Sequence, residues 1–280
     1  MGNGMIITID SLNRQKFSTV LNDMYRLRAR VFQDRLGWEV DVRDGMEIDD
    51  FDNLDPTHIV SIDDDGDVVG CMRLLQTTGP HMLADVFYNL LDGEPPLRSA
   101  QIWEATRFCV DTVKLSGGKT RNSISYVTSE VMIGAFEYAK NAGVLDAVAV
   151  IDPVMNRVLK RSGNAPYDYL GSAKPMGKVT AMAALMDCSD ERIASIREFS
   201  GIKHDVFATE QECLDRIAER ELAKKRKTPR KRDSGELRDY FAQQLRDADN
   251  DEEVAAVQRL IQAVGNQLPP DSLQSLRRTG

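Results

Sequence analysis

The chain has 280 residues, 36 Lys and Arg against 44 Asp and Glu, a formal net charge of −8 and 42% hydrophobic residues. That balance suits a globular protein with a sizeable core, built either as one domain of about 200 residues with an appendage or as two domains. No stretch approaches the roughly 18 apolar residues of a membrane span, and the first residues lack the basic-then-apolar order of a secretion signal, so neither fate is expected.

In chain order, Met5–Ile9 reads as a short strand. Phe17–Leu36 reads as a helix, with apolar Val20, Met24, Leu27, Val31 and Leu36 at helical spacing. A polar, acidic segment from Gly37 to Pro56 follows. His58–Ile62 and Val68–Leu75 are then strand-like, and the Asp-Gly pair between them (Asp65-Gly66) predicts an antiparallel hairpin. Ala100–Val110 is a further strand, and Arg121–Asn141 an amphipathic helix closed by Gly143. Val144–Ile151 is apolar almost throughout, as expected of a strand buried on both faces. Asp152-Pro153 opens a short helix to Arg161 as cap and first residue. Tyr167–Leu170 and Lys178–Leu185 supply two more strands, and Asp190–Phe199 a helix. The fold class is α/β or α+β, a mixed central sheet covered by helices.

Composition changes near residue 200. Residues 1–200 hold the whole net charge of −8, whereas residues 201–280 carry 15 basic and 15 acidic side chains. The expected division is a domain over 1–200 and a charged, mostly helical C-terminal extension over 201–280. Helices are expected over Thr209–Ala223, Gly235–Asp247 and Asp251–Val264, the first two separated by a run from Lys224 to Arg232 in which seven of nine residues are basic. Such a run offers a patch to an acidic partner, lipid surface or nucleic acid. It lacks interleaved aromatic residues for stacking on bases, so nucleic acid is not the expected partner.

Cys71, Cys109, Cys188 and Cys213 stand far apart without a CxxC pair, which suggests neither a disulfide framework nor a zinc site and fits a reducing cytoplasm. His58, His81 and His204 form no HExxH pair and no nucleophile motif, and are read as structural or surface residues. No metal is expected.

Four clusters carry potential chemistry. Arg28, Phe32 and Trp38 place a guanidinium beside aromatic rings, suited to a flat, partly anionic ligand or simply to a core. Glu47, Asp49, Asp50, Asp52 and Asp55 crowd carboxylates without the spacing of a calcium loop. A cationic organic ligand would relieve their repulsion, and a solvated acidic loop is the plainer alternative. Gly70-Cys71-Met72-Arg73 lies mid-strand, and so does Trp103-Glu104-Ala105-Thr106-Arg107-Phe108. Regular alternation sends Glu104, Thr106 and Phe108 to one face and Arg107 to the other unless a bulge intervenes. Arg73, Glu104 and Arg107 form either a buried ion-pair network or the lining of a cleft.

Taken together, Arg28-x3-Phe32-x5-Trp38, Glu47-x-Asp49-x2-Asp52, Gly70-x2-Arg73-Leu74 and Trp103-Glu104-x-Thr106-Arg107-Phe108 resemble, in order and spacing, the acyl-homoserine-lactone synthases, the autoinducer synthases of bacterial quorum sensing. The resemblance spans roughly residues 5–200. It implies a GNAT-like (N-acetyltransferase-like) fold in which the mixed central sheet splays to admit an acyl-pantetheine. It also implies a reaction that joins S-adenosylmethionine to an acyl thioester and releases 5′-methylthioadenosine, with S-adenosylmethionine as substrate and no cofactor. By the same resemblance Glu104 is the base, grouped with Arg73, Thr106 and Arg107 at the reacting centre. Arg28, Phe32, Trp38, Asp49, Asp52, Arg107 and Phe108 would hold S-adenosylmethionine.

Met132, Val148, Val150 and Met155 are candidates for an acyl pocket, and Arg157, Lys160 and Arg161 for docking an acidic acyl carrier protein. The loop Lys114–Lys119 ends in lysine where acetyltransferases place glycine or alanine in their pyrophosphate cradle, which favours acyl carrier protein over acyl-CoA as donor. Ala147-Val148-Ala149-Val150 has no threonine of the kind that goes with 3-oxo chains in some family members, so a donor without a 3-oxo group is expected. The alternatives are another N-acyltransferase of this fold using acyl-CoA and a different amine, and a non-catalytic regulatory homologue.

Overall fold

The computed structural model describes residues 5–116, 123–176, 179–227, 242–246, 253–255 and 257–258. Strand β1 (Ile6–Ile9) leads to α1 (Ser18–Ala29), which passes directly into a π-helical stretch over Arg30–Arg35. The single helix expected over Phe17–Leu36 is thus two helical forms in series, and the amide of Leu36 donates to the carbonyl of Val31, five residues back. The acidic segment is more ordered than its composition suggests. It holds a ribbon of β2 (Val42–Arg43) and β3 (Met46–Glu47), turned by Asp44 and Gly45 at φ of 53° and 74°, followed by a 3-10 turn over Asp50–Asn53.

The chain continues through the hairpin β4 (Thr57–Ile62) and β5 (Val68–Gln76), a one-turn helix α2 (Met82–Asp85), a 3-10 turn over Tyr88–Leu91 and β6 (Ile102–Val110). Then come α3 (Ile124–Asn141), β7 (Asp146–Ile151), α4 (Pro153–Arg161), β8 (Asp168–Met176), β9 (Val179–Asp187), α5 (Asp190–Ser200) and α6 (Glu210–Lys227). Local sequence sets the helix ends. Ser123, Asp152 and Ser189 cap α3, α4 and α5 by accepting from the amides of Tyr126, Met155 and Arg192. Arg121 and Lys178, expected in α3 and β9, lie outside the described residues, as does most of the two helices expected beyond 235; residues 242–246 and 253–255 are helical.

Seven strands form one sheet in the order β1-β4-β5-β6-β7-β9-β8. Every neighbouring pair is antiparallel except β6 and β7, which run parallel and pair only at Ile102↔Asp146, Trp103↔Ala147 and Glu104↔Val148. Past Glu104, β6 pairs only with β5, and past Val148, β7 pairs only with β9, so the sheet splays as the resemblance implies.

Strand alternation divides the core between the two faces. On one face Ile6, Ile59, Ala147, Ala149, Ala184 and Met186 pack with Val131, Met132 and Phe136 of α3 and Ile193 and Ile196 of α5. On the other, Ile7, Val60, Ile62 and Cys71 meet Val20, Met24 and Leu27 of α1 at one end of the sheet. Val148, Ala183 and Leu185 meet Leu83, Leu90 and Leu91 at the other end. The charged site lies on this second face.

Two compact units divide the chain at Arg220, beyond the change of composition near 200. Residues 201–220 belong to the first unit for a physical reason. Ile6 donates to Val206 and accepts from Ala208, Cys213 is 1% exposed in the α1 cluster, and Arg220 donates to Asp23 and to the Gly66 carbonyl. Charge composition does not record such backbone pairing. The described residues of the second unit are helical.

At Gly171 the backbone has φ +58°, and a Cβ there would run into the carbonyl of Leu90. Gly171→Ala is expected to cost about 2 kcal/mol or more and to lower the thermal midpoint measured by circular dichroism.

Candidate active site

The site begins with Arg28, which α1 presents to the sheet at 0% exposure. Burying a guanidinium is costly unless it is paired. Its Nη1 and Nη2 donate to the two oxygens of Asp52 at 2.8 Å each, and its Nε donates to Glu47. Asp49 and Asp52 are held by a capping box around the 3-10 turn. Asp49 accepts from the amides of Phe51 and Asp52, and Asp52 accepts from the amide of Asp49. The three-residue spacing of these aspartates is thus a local folding feature that also aims both carboxylates inward.

Arg73, from β5, pairs with Asp49 and Asp52, and its Nε donates to the hydroxyl of Thr106 at 3.0 Å. Arg107, from β6, reaches Glu47 at 2.9 Å and Asp49 at 2.7 Å. It does so because β6 is bulged: the register slips between Cys71↔Cys109 and Arg73↔Thr106. Arg107 has φ +53°, an uncommon backbone for a residue with a Cβ that stores about 1–3 kcal/mol. Regular alternation is broken here as a result. Arg107 joins Thr106 and Glu104 on the charged face, while Phe108 turns to the α3 face, where, like Ala105, it packs against the core cluster.

The aromatic residues complete one wall. Phe32 and Trp38 stack with centroids 5.1 Å apart, and the Arg107 guanidinium lies over Phe32 at 5.3 Å. Glu104, at 0% exposure, accepts from the amides of Met82 and Leu83 at 2.7 Å each. Burial pushes its carboxyl up to about 7, against those two hydrogen bonds and the charge of Arg73. Exposure separates the roles within this group: the side chains of Arg28, Glu47, Asp52 and Arg73 are at most 2% exposed, whereas Arg107 is 11% and Asp49 18% exposed. The group therefore opens to solvent at one cation and one anion, beside stacked aromatic rings.

The family model described as autoinducer synthase matches residues 12–196, which contain all of these side chains. The chain belongs to this family. A curated acyl-homoserine-lactone synthase of Aeromonas hydrophila is 38% identical over 177 residues, covering 62% of this chain and 83% of that one. Among solved structures, a CoA-dependent acyl-homoserine lactone synthase, MesI, is 30% identical with a TM-score of 0.63, covering 72% of this chain and 98% of its own. The synthase LasI is 30% identical with a TM-score of 0.60, covering 74% and 100%. The protein is an enzyme of the acyltransferase type.

Within this autoinducer synthase the structure gathers Arg28, Phe32, Trp38, Asp49, Asp52, Arg73, Glu104, Thr106 and Arg107, and leaves Phe108 apart. It also divides the four acyl-pocket candidates. Met132 and Met155 belong to the α3 face, whereas Val148 and Val150 point to the opposite face, since neighbouring positions of β7 alternate. Arg157, Lys160 and Arg161 are exposed together on α4. Sequence reasoning placed Glu47 in a motif without giving it a role, yet at 0% exposure it bridges Arg28 and Arg107. Met82 was missed altogether, since an isolated methionine gives no sequence signal.

His58 is also buried against this network, with Nε2 3.9 Å from Asp52. Burial pushes its pKa down to about 3, with Asp52 acting in the opposite sense and Arg28 and Arg73 adding to the fall. The unfolded chain takes up this proton near pH 6.5 and the folded one does not, so stability falls as pH drops from about 6.5 toward 3. Urea midpoints of His58→Gln should decline less than wild type between pH 6.5 and 4. Replacing Glu47 by Gln withdraws a charge from two buried arginines, and chemical denaturation should show a loss of about 3 kcal/mol.

Proposed function

We propose that this synthase makes an N-acyl-L-homoserine lactone from S-adenosylmethionine and an acyl thioester. The observation that carries the reading is the opening of the charged network at Arg107 and Asp49 beside the Phe32–Trp38 stack. A zwitterionic sulfonium nucleoside has the complementary parts. Its carboxylate faces Arg107, its cationic end faces Asp49, and its adenine lies against the aromatic wall. Arg28, Asp52 and Glu47 fix the two exposed groups rather than touching ligand.

The acyl-pantetheine enters where β6 and β7 part, next to Glu104. Glu104, with a pKa near the working pH, takes a proton from the α-ammonium, directly or through water, and frees the amine to attack the thioester carbonyl. Backbone N–H groups at the splay stabilise the oxyanion, and collapse expels the thiolate, which takes up the second proton lost by the nitrogen and leaves as a thiol, giving an amide. The methionyl carboxylate then attacks the γ-carbon, the C–S bond breaks and 5′-methylthioadenosine leaves as a neutral thioether. This second step needs orientation more than acid or base. The acyl chain lies on the α3 side, against Met132, Met155, Ala105 and Phe108, with Val148 and Val150 turned away from it.

Acyl carrier protein is the proposed donor, met by Arg157, Lys160 and Arg161. The CoA dependence of MesI supports acyl-CoA as the second reading. A mass-resolved assay with S-adenosylmethionine and both kinds of thioester should yield an acyl-homoserine lactone with stoichiometric methylthioadenosine, and the accepted thioester decides the donor. The rate should rise with pH through about 7 as Glu104 ionises, and Glu104→Ala should lose about 100-fold or more in kcat. Absence of both products from folded wild-type protein overturns the reading.

A further inference from the structure

Almost every donor of the three buried arginines is spent on a carboxylate or hydroxyl. Arg28 gives all three nitrogens to Glu47 and Asp52, and Arg73 gives Nε to Thr106, Nη1 to Asp49 and Asp52, and one N–H of Nη2 to Asp49. Arg107 gives Nε and Nη2 to Glu47 and Asp49. One nitrogen, Arg107 Nη1, meets no oxygen, and Arg73 Nη2 meets one, Asp49 Oδ2 at 3.0 Å, with its other N–H left over. Arg107 Nη1 and the second N–H of Arg73 Nη2 both point at the thioether sulfur of Met82, at 3.4 and 3.3 Å, and for Arg107 Nη1 this is the sole hydrogen-bond partner among the described residues. A thioether is a weak acceptor, so one N–H from each of two guanidiniums converges, in a largely dry site, on an atom that satisfies it poorly. The neighbouring pair of N–H groups suits a carboxylate far better.

We infer that Met82 is a resident stand-in for the substrate's carboxylate, keeping the Arg73–Arg107 donor pair covered until S-adenosylmethionine turns the side chain aside. The inference rests on the synthase reading above and extends it to a residue that sets substrate affinity. Met82 is 5% exposed, so the donors are screened from water while it is in place. Its backbone cannot follow its side chain, because Glu104 holds the amides of Met82 and Leu83. Arg107 is held in turn by its φ +53° bulge and by Glu47 and Asp49. Only the Met82 side chain is left to move, and methionine, unbranched with three rotatable bonds, does so at small cost.

The test is calorimetric titration of the full chain with two unreactive ligands: S-adenosylhomocysteine, which carries the carboxylate, and methylthioadenosine, which lacks the amino-acid portion. Met82→Leu keeps the bulk and removes the acceptor, leaving the donors uncovered, so S-adenosylhomocysteine should bind about 3- to 10-fold tighter. Met82→Gln has nearly the same length and a better acceptor, so the same ligand should bind about 3- to 10-fold more weakly. Methylthioadenosine affinity should stay within about twofold in both, and thermal unfolding should show both variants folded. Opposite shifts from two near-isosteric replacements, confined to the carboxylate-bearing ligand, are what a mere packing role would not produce. Shifts of the same sign, shifts shared by methylthioadenosine, or no shift at all overturn the inference and leave the synthase reading standing. Wild-type protein that binds neither nucleoside overturns both.

Discussion

Three guanidiniums and three carboxylates taken out of water together are the constraint on which this structure turns. Each ion of Arg28, Arg73, Arg107, Glu47, Asp49 and Asp52 would cost several kcal/mol to bury alone, and the set is tolerable only because nearly every donor meets an acceptor in the same small volume. The members come from α1, β3, the turn after it, β5 and β6. None of these elements can shift without stranding a charge. The network therefore ties the first helix and the acidic segment to the sheet, and leaves open only the edge made by Arg107 and Asp49.

The second constraint is geometric. A sheet that paired β6 and β7 along their full length would leave no gap between them, and a β6 without its bulge would send Arg107 to the α3 face. Parallel pairing stops after three residues, and the bulge follows at once on the same strand. The strand position that carries Glu104 is thus the last point where the sheet is closed and the start of the charged face. One short segment of β6 supplies both faces of the sheet, with Arg107 turned to the charged face and Phe108 to the α3 face.

Much of this was legible in the sequence where the cause is local. The hairpin β4–β5 follows from its Asp-Gly turn, α4 from its Asp152-Pro153 start, and the burial of β7 from an almost wholly apolar run. The charged positions were legible as a set because their order and spacing match a family in which the same side chains recur. Less was legible where the cause is a partner far along the chain. Alternation assigned Phe108 to the charged side, and the β6 bulge turned it to the other; the resemblance grouped Val148 and Val150 with Met132, and the pleat of β7 sends the two valines to the face opposite Met132. The ribbon inside the acidic segment was hidden by its composition, although Asp44-Gly45 is the same kind of turn signal as the one read correctly at Asp65-Gly66.

By itself, then, the sequence determined which side chains carry charge, where helices begin and end, and which residues alternate along a strand, because each depends on neighbours a few positions away. Tertiary structure alone decided that Arg107 and Glu104 share a face, that Glu47 bridges two arginines, that Met82 meets an N–H from each of Arg73 and Arg107, and that residues 201–220 belong with the first unit. Each of these depends on long-range register and on the cost of leaving a buried charge or a backbone group unpaired, and that cost is set only when distant segments come together.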